Sequence, residues 1–286
     1  MSNKKKSVKL VITLLTAVFG SALAIGVGGA AAFFRYLNRP ERYSPIPTDI
    51  HNIKLIAHRG MSSLAPENTT ASFELAGKNG GFWGAECDIY RSTDGRWILS
   101  HDPNTFRMMD RALRIESESY EELMKLTVNR GSEIEKYPNL KICTLEEYLD
   151  ICKKYNMAAI IEVKGKNNTE YYPEVVSAVE ERGVNALYIS FHIEDLRKLR
   201  EITDAPLYLL VREFKREHTE LVKTVENCGI DFFCSKVTVS NGNIIKCIEE
   251  GTDLIAWTVN DVDLLRKVVD LGVKKITTDR IYIASE

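Results

Sequence analysis

Residues 51–286 predict an α/β fold, a parallel (β/α)8 TIM barrel, on three observations. Strand-like apolar runs alternate with amphipathic helical ones. Eight strands remain to be joined by helical crossovers once a single hairpin is set aside. The stretch is about 235 residues long, the size of one such barrel. A doubly wound open sheet is the alternative that alternation alone leaves standing.

The first strands expected are 53–57, 85–91 and 97–100. Only Ser92-Thr93-Asp94-Gly95-Arg96 separates the last two, and Asp-Gly is a hairpin signal, so the third run should return antiparallel beside the second. Residues 102–145 are long for one crossover and predict a small insertion after that hairpin, near the barrel mouth. Ser119 with Glu122, and Thr144 with Glu147, have the spacing of capping boxes. The remaining strands are expected at 159–163, 187–191, 207–211, 231–234, 254–259 and 275–278. Pro173 suits a first helical turn and Gly183 the position after a helix end. Gly229, Gly251 and Gly272 each read as the glycine between an amphipathic stretch and a strand.

The chain ahead of residue 51 reads differently. Overall it is 44% apolar and 27% charged with a net charge of −2. That composition is globular, and near-neutrality argues against a nucleic-acid partner held by bulk positive charge. Residues 1–39 contain six basic residues and no acid, so from a total of −2 the remainder carries −8. A basic tail (1–9) leads into 25 uncharged residues (10–34), enough to span a bilayer core of about 30 Å. We expect a single-pass transmembrane anchor there, then a linker (35–50) stiffened by Pro40, Pro45 and Pro47. The barrel domain (51–286) would face the extracytoplasmic side, with only a narrow positive-inside bias, because Arg35, Arg39 and Arg42 follow the run. A cleaved signal peptide, cut near Ala30-Ala31-Ala32, is the competing reading. Gly26-Val27-Gly28-Gly29-Ala30-Ala31 mimics a dinucleotide fingerprint but follows no strand. Six cysteines, none in a C-x-x-C pair, read as buried thiols, although an outward location would permit disulfides.

In a parallel barrel the chemistry gathers at the C-terminal ends of strands. There the sequence places His58-Arg59, then Glu67-Asn68, Glu86-Cys87-Asp88, His101-Asp102 and Glu162-Val163-Lys164. Glu86 and Asp88 are two apart in a strand and share one face. Acids inside apolar runs, as these and Glu162 are, cost stability unless paired or metal-bound. Three oxygen ligands without a cysteine suit one hard divalent cation, Mg²⁺ or Ca²⁺; pairing with Arg59 and Lys164 is the alternative. His58 and His101 can act as base and acid in a displacement. Arg59 and Lys164 suit an anionic, phosphate-bearing substrate. No P-loop is present. His51, His192 and His218 lack such company, and the sequons at Asn68 and Asn167 read as chance matches.

These residues resemble the glycerophosphodiester phosphodiesterase family over about residues 53–286. The similarity extends to Leu55-Ile56-Ala57-His58-Arg59-Gly60, Ala65-Pro66-Glu67-Asn68-Thr69, Trp257-Thr258-Val259-Asn260 and Thr278-Asp279-Arg280. The resemblance implies hydrolysis of a glycerophosphodiester to an alcohol and glycerol 3-phosphate. It implies Glu86, Asp88 and Glu162 as cation ligands, and His58 and His101 as the catalytic pair. Arg59 and Lys164 would bind phosphate, Glu67 and Asn68 would order the first loop or touch substrate, and Trp257 would line the pocket. A lysophospholipase D or sphingomyelinase D-like enzyme acting on membrane lipids is a close alternative. A membrane-tethered binding domain without catalysis is a distant one, disfavoured because both histidines are present. Oligomeric state leaves no mark in the sequence.

Overall fold

The computed structural model describes residues 44–165, 168–234 and 242–282. The basic tail, the apolar run at 10–34 and most of the linker lie outside the described residues, as does Asn167. Among the described residues no helix is long and apolar enough to cross a membrane.

The strands are β1 (Ser44–Pro45), β2 (Lys54–His58), β3 (Gly84–Arg91), β4 (Trp97–Leu99), β5 (Ala158–Val163), β6 (Ala186–Ser190), β7 (Leu207–Val211), β8 (Cys228–Phe233), β9 (Leu254–Trp257), β10 (Lys275–Thr278) and β11 (Ile281–Tyr282). β2, β3 and β5 to β10 run parallel in that order. β2 pairs with both β3 and β10, so the sheet closes into a barrel and the open-sheet alternative falls. β4 returns antiparallel on β3, as the Asp94-Gly95 turn requires. β1 pairs with β11 beside the barrel.

Alternation builds two cores from one set of strands. Leu55, Ala57, Ala85, Cys87 and Ile89 face outward into the layer beneath the helices. Ile56, Ile160, Leu187, Ile189, Leu210 and Ile255 fill the barrel interior. The helices joining the strands include α1 (Thr70–Asn79), α2 (Tyr120–Met124), α3 (Leu145–Tyr155), α4 (Tyr172–Arg182), α5 (Ile193–Arg200), α6 (Arg216–Val222), α7 (Gly242–Glu249) and α8 (Val262–Asp270). Tyr148 of α3 is fully buried, and its hydroxyl donates to Ala85 O at 2.6 Å and accepts from Ile160 N at 3.0 Å. It thereby ties β3 to β5, the two strands that carry the acids.

The expected insertion is present and has its own apolar cluster, including Ile98, Met109, Ile115, Leu123 and Leu126. Thr144 and Glu147 form a full capping box on α3. Ser119 accepts from Glu122 N, but the Glu122 side chain turns to Lys125 rather than back to Ser119. A further capping box, Thr69 with Ser72, opens α1 where the sequence carries no Glu or Gln signal. Gly229 corrects an expectation, for it lies inside β8 rather than before it. A Cβ there would stand 2.4 Å from Asp253 O and 2.6 Å from the Tyr208 ring, so its bareness admits Tyr208 to the interior. β9 ends at Trp257, two residues short of the predicted boundary. The six cysteines are free thiols, all buried except the half-buried Cys228.

Candidate active site

The acids meet as their spacing suggests. Ligand oxygens of Glu86, Asp88 and Glu162 lie within 4.8 Å of one another, and all three residues are buried. The ion pairing expected from the sequence is present, and the same acids form a cluster that could hold a metal ion. Arg59 Nε stands 3.2 Å from Asp88 Oδ2. Lys164 Nζ donates to Glu162 Oε1 at 2.6 Å and lies 3.2 Å from Asp88 Oδ1. With all three carboxylates ionised, as a bound cation would require, Arg59 and Lys164 leave one negative charge uncompensated, and Asp88 Oδ1 still lacks a hydrogen bond. An all-oxygen cluster with surplus negative charge fits a hard divalent cation.

The electrostatics of the three acids differ. Burial and the Asp88 charge push Glu86 well above the usual carboxylate range, with Arg59 pulling the other way. Burial and Asp88 likewise push Glu162 up, to about 8, despite its bond to Lys164. Burial also opposes ionisation of Asp88, but Lys164 and Arg59 outweigh it and hold Asp88 low. Asp88 is thus the fixed negative charge of the cluster.

The loop between β2 and α1 braces this cluster. Arg59 and Asn68 both adopt left-handed backbone, with φ of 57° and 53°, which costs a non-glycine residue about 1 kcal/mol or more. The turn aims Arg59 N at Glu86 Oε2, 2.9 Å away. It also lets Asn68 donate to Asp88 Oδ2 at 2.7 Å. Asn68 is buried, so its sequon is not a surface acceptor. Glu67 accepts from Arg59 at 3.0 Å and from Arg107 at 2.7 Å. Neither Glu67 nor Asn68 lines the central cavity. Their contacts fit the first of the two roles expected for them, ordering of the loop, since they brace groups that line the cavity or hold its acids.

Both histidines reach the same cavity, and each is backed by a carboxylate. His58 Nδ1 is 2.8 Å from Asp279 Oδ1, while His58 Nε2 is 4.0 Å from Glu86. Asp279 is itself held by Ser62 Oγ and Asn260 Nδ2. Burial would raise Asp279, but the His58 hydrogen bond and charge prevail and hold it low. His101 Nδ1 is 2.8 Å from Asp102 Oδ1, and Arg107 Nε donates to the other oxygen, Asp102 Oδ2. Burial draws His101 below its ordinary value, with Arg59 and Lys164 acting in the same direction. With each Nδ1 tied to a carboxylate, each ring presents Nε2 to the cavity.

The cavity is about 430 Å³; besides Glu86, Glu162, both histidines, Arg59 and Lys164, it is lined by Arg212 and Asp231. Opposite the acids stand Ile189, Phe191, Leu210 and Trp257. Trp257, expected at the pocket, lines it and packs edge-on against Phe191 and Phe233, at 6.0 and 5.3 Å between centroids. Its indole donates to Asp231 O. The structure adds functional candidates to which the sequence reading gave no role: Asp279, Asp102, Arg107, Arg212 and Asp231. Asp231 carried the signal used for Glu162, an acid inside an apolar strand. Asp279 carried only its place in the Thr278-Asp279-Arg280 motif.

Chemistry of this kind on a barrel rim is that of a hydrolase acting on an anionic ester. Similarity to known proteins narrows that class. The model of the glycerophosphoryl diester phosphodiesterase family matches residues 58–283, and the chain belongs to that family. Human glycerophosphodiester phosphodiesterase 1 is 30% identical over 242 residues, covering 74% of this chain and 73% of that protein. A phosphodiesterase of Oleispira antarctica, solved in complex with the product sn-glycerol-3-phosphate, is 26% identical. It covers 79% of this chain and 92% of its own, with a TM-score of 0.73. A glycerophosphodiester phosphodiesterase of Parabacteroides distasonis is 27% identical, with a TM-score of 0.65 over 80% and 93% of the two chains.

Proposed function

We propose that this chain hydrolyses glycerophosphodiesters to an alcohol and glycerol 3-phosphate, using one divalent cation, Mg²⁺ or Ca²⁺, at Glu86, Asp88 and Glu162. The observation that carries the reading is the shared cavity: two carboxylate-backed histidines open onto it beside the acid cluster, Arg59 and Lys164. A cation held by the three acids would supply positive charge to the phosphoryl oxygens as negative charge builds on them. With all three acids ionised around it, the cluster would carry one positive charge, which a phosphodiester monoanion neutralises. One histidine takes a proton from water or from the neighbouring glycerol hydroxyl, and the other gives one to the departing oxygen. Asp279 and Asp102 hold the rings in register and favour the imidazolium each must pass through.

The test is release of glycerol 3-phosphate from glycerophosphocholine by the purified chain. Release that stops with chelator and returns with Mg²⁺ or Ca²⁺ is expected. Full activity in excess chelator would sink the cation requirement.

A second reading, action on lysophospholipids in the manner of a lysophospholipase D, draws support from the apolar half of the cavity. We also propose that residues 10–34 anchor the chain in a membrane as a single pass, with the barrel on the extracytoplasmic side. Comparing lysophosphatidylcholine with glycerophosphocholine as substrate separates the two activities. Alkaline extraction of membranes, which strips peripheral proteins, tests the anchor.

A further inference from the structure

Asp231 is a buried acid that the proposed chemistry does not use. It lies inward on β8, is 2% exposed, and lines the catalytic cavity. Its Oδ1 has no hydrogen-bond partner among the described residues. A buried carboxyl without a partner costs roughly 1–3 kcal/mol or more. Trp257 bonds its backbone oxygen rather than its carboxyl. Arg212 lines the same cavity, but its guanidinium lies over the Phe191 ring, 5.2 Å from the centroid. In the empty cavity solvent can meet this carboxyl, and a hydroxyl brought in by the substrate can take that place.

We infer that Asp231 is a specificity-determining residue that binds the terminal hydroxyl of the substrate's glycerol moiety. This rests on the phosphodiesterase reading above. The phosphate belongs at the acid cluster, Arg59 and Lys164, and the hydroxyl next to the ester oxygen lies within the reach of the catalytic histidines. The terminal hydroxyl extends one carbon further, toward the uncharged side. Burial, reinforced by the Glu162 charge, pushes Asp231 well above the usual carboxylate range, so it can both donate to and accept from a hydroxyl. A site built around such a bond rejects a substrate lacking the hydroxyl, because its own polar group is then left buried and unpaired.

The experiment compares two diesters in the full chain: glycerophosphocholine, and the propane-1,2-diol phosphocholine diester that lacks only the terminal hydroxyl. The wild-type chain is expected to favour the glycerol diester by at least about tenfold in kcat/KM. In Asp231→Leu the ratio falls to within about twofold, the deoxy diester still turns over, and the melting temperature rises because an unpaired buried carboxyl is gone. Asp231→Asn, isosteric and still polar, keeps part of the preference. A wild-type ratio retained in both variants overturns the assignment. So does equal loss of both diesters in Asp231→Asn, since losing a bond to one hydroxyl cannot lower turnover of a substrate that lacks it. Equal turnover of the two diesters by the wild-type chain overturns this role and leaves the phosphodiesterase standing. Failure of the wild-type chain to release glycerol 3-phosphate overturns that reading and this role with it.

Discussion

On β2, β3 and β5 the inward positions climb from Ile56 and Ile160 to His58, Glu86, Asp88 and Glu162. On β6, β7 and β9 the same inward positions stay apolar to the rim, through Ile189, Leu210 and Trp257. One pleat alternation serves both halves. They differ in how their polar groups are satisfied. On the charged half His58, Arg59, His101 and Lys164 each have a partner within 3.2 Å. On the apolar half Asp231 has no such partner. The charged half has its cations and histidines held before substrate arrives, as preorganised catalysis requires, whereas the apolar half carries a carboxyl that a ligand can engage.

If chemistry belongs to the charged half, the largest effect follows from emptying it. His58→Ala or His101→Ala should lower turnover by at least about 10³-fold, with a melting curve close to wild type. Near-normal turnover in either variant would dissolve the contrast between the halves. Next comes the charge balance of the cluster. Lys164→Met leaves Glu162 and Asp88 facing each other with one cation fewer, and should cost about 3–5 kcal/mol in denaturant unfolding without added divalent ion. Wild-type stability there would show that the acids do not need the lysine.

A subtler probe is the pH profile. Burial lowers His101, while its bond to Asp102 works the other way. The limb set by His101 should therefore lie below pH 6.5, its ordinary value. Removing the carboxylate in Asp102→Asn should move that limb further down, by less than about one pH unit. An upward shift would show that Asp102 is not what supports the charged imidazole. The smallest effect is expected across the cavity. Phe191→Ala should raise KM for glycerophosphocholine about two- to fivefold and leave kcat unchanged. A matching fall in kcat would mean that the apolar wall also positions the reacting groups.

Much of the charged half was legible in the chain because acids inside apolar strands are anomalies of sequence. Glu86-Cys87-Asp88 and Ile161-Glu162-Val163 announce themselves in a few residues. Asp231 has the same signature in Ile230-Asp231-Phe232, but no motif stands around it to turn the anomaly into a role. Asp279 could not be read locally, since its histidine partner is 221 residues away. The bracing roles of Glu67 and Asn68 depend on depth behind the cavity, which only the folded loop defines. The barrel itself was readable from alternation. The interior place of Gly229 was not, because the reason for it is the ring of Tyr208 on a neighbouring strand.

The bond between His58 and Asp279 also imposes an order in time. During synthesis the ribosome delivers the three acids and both histidines well before it reaches residue 279. Until β10 closes onto β2, His58 lacks the carboxylate that orients its ring. That closure joins the two ends of the barrel and carries a loop-closure entropy cost. A nascent or half-folded chain can thus carry the whole acid cluster and still lack a working acid–base pair. The last barrel strand is what arms the first.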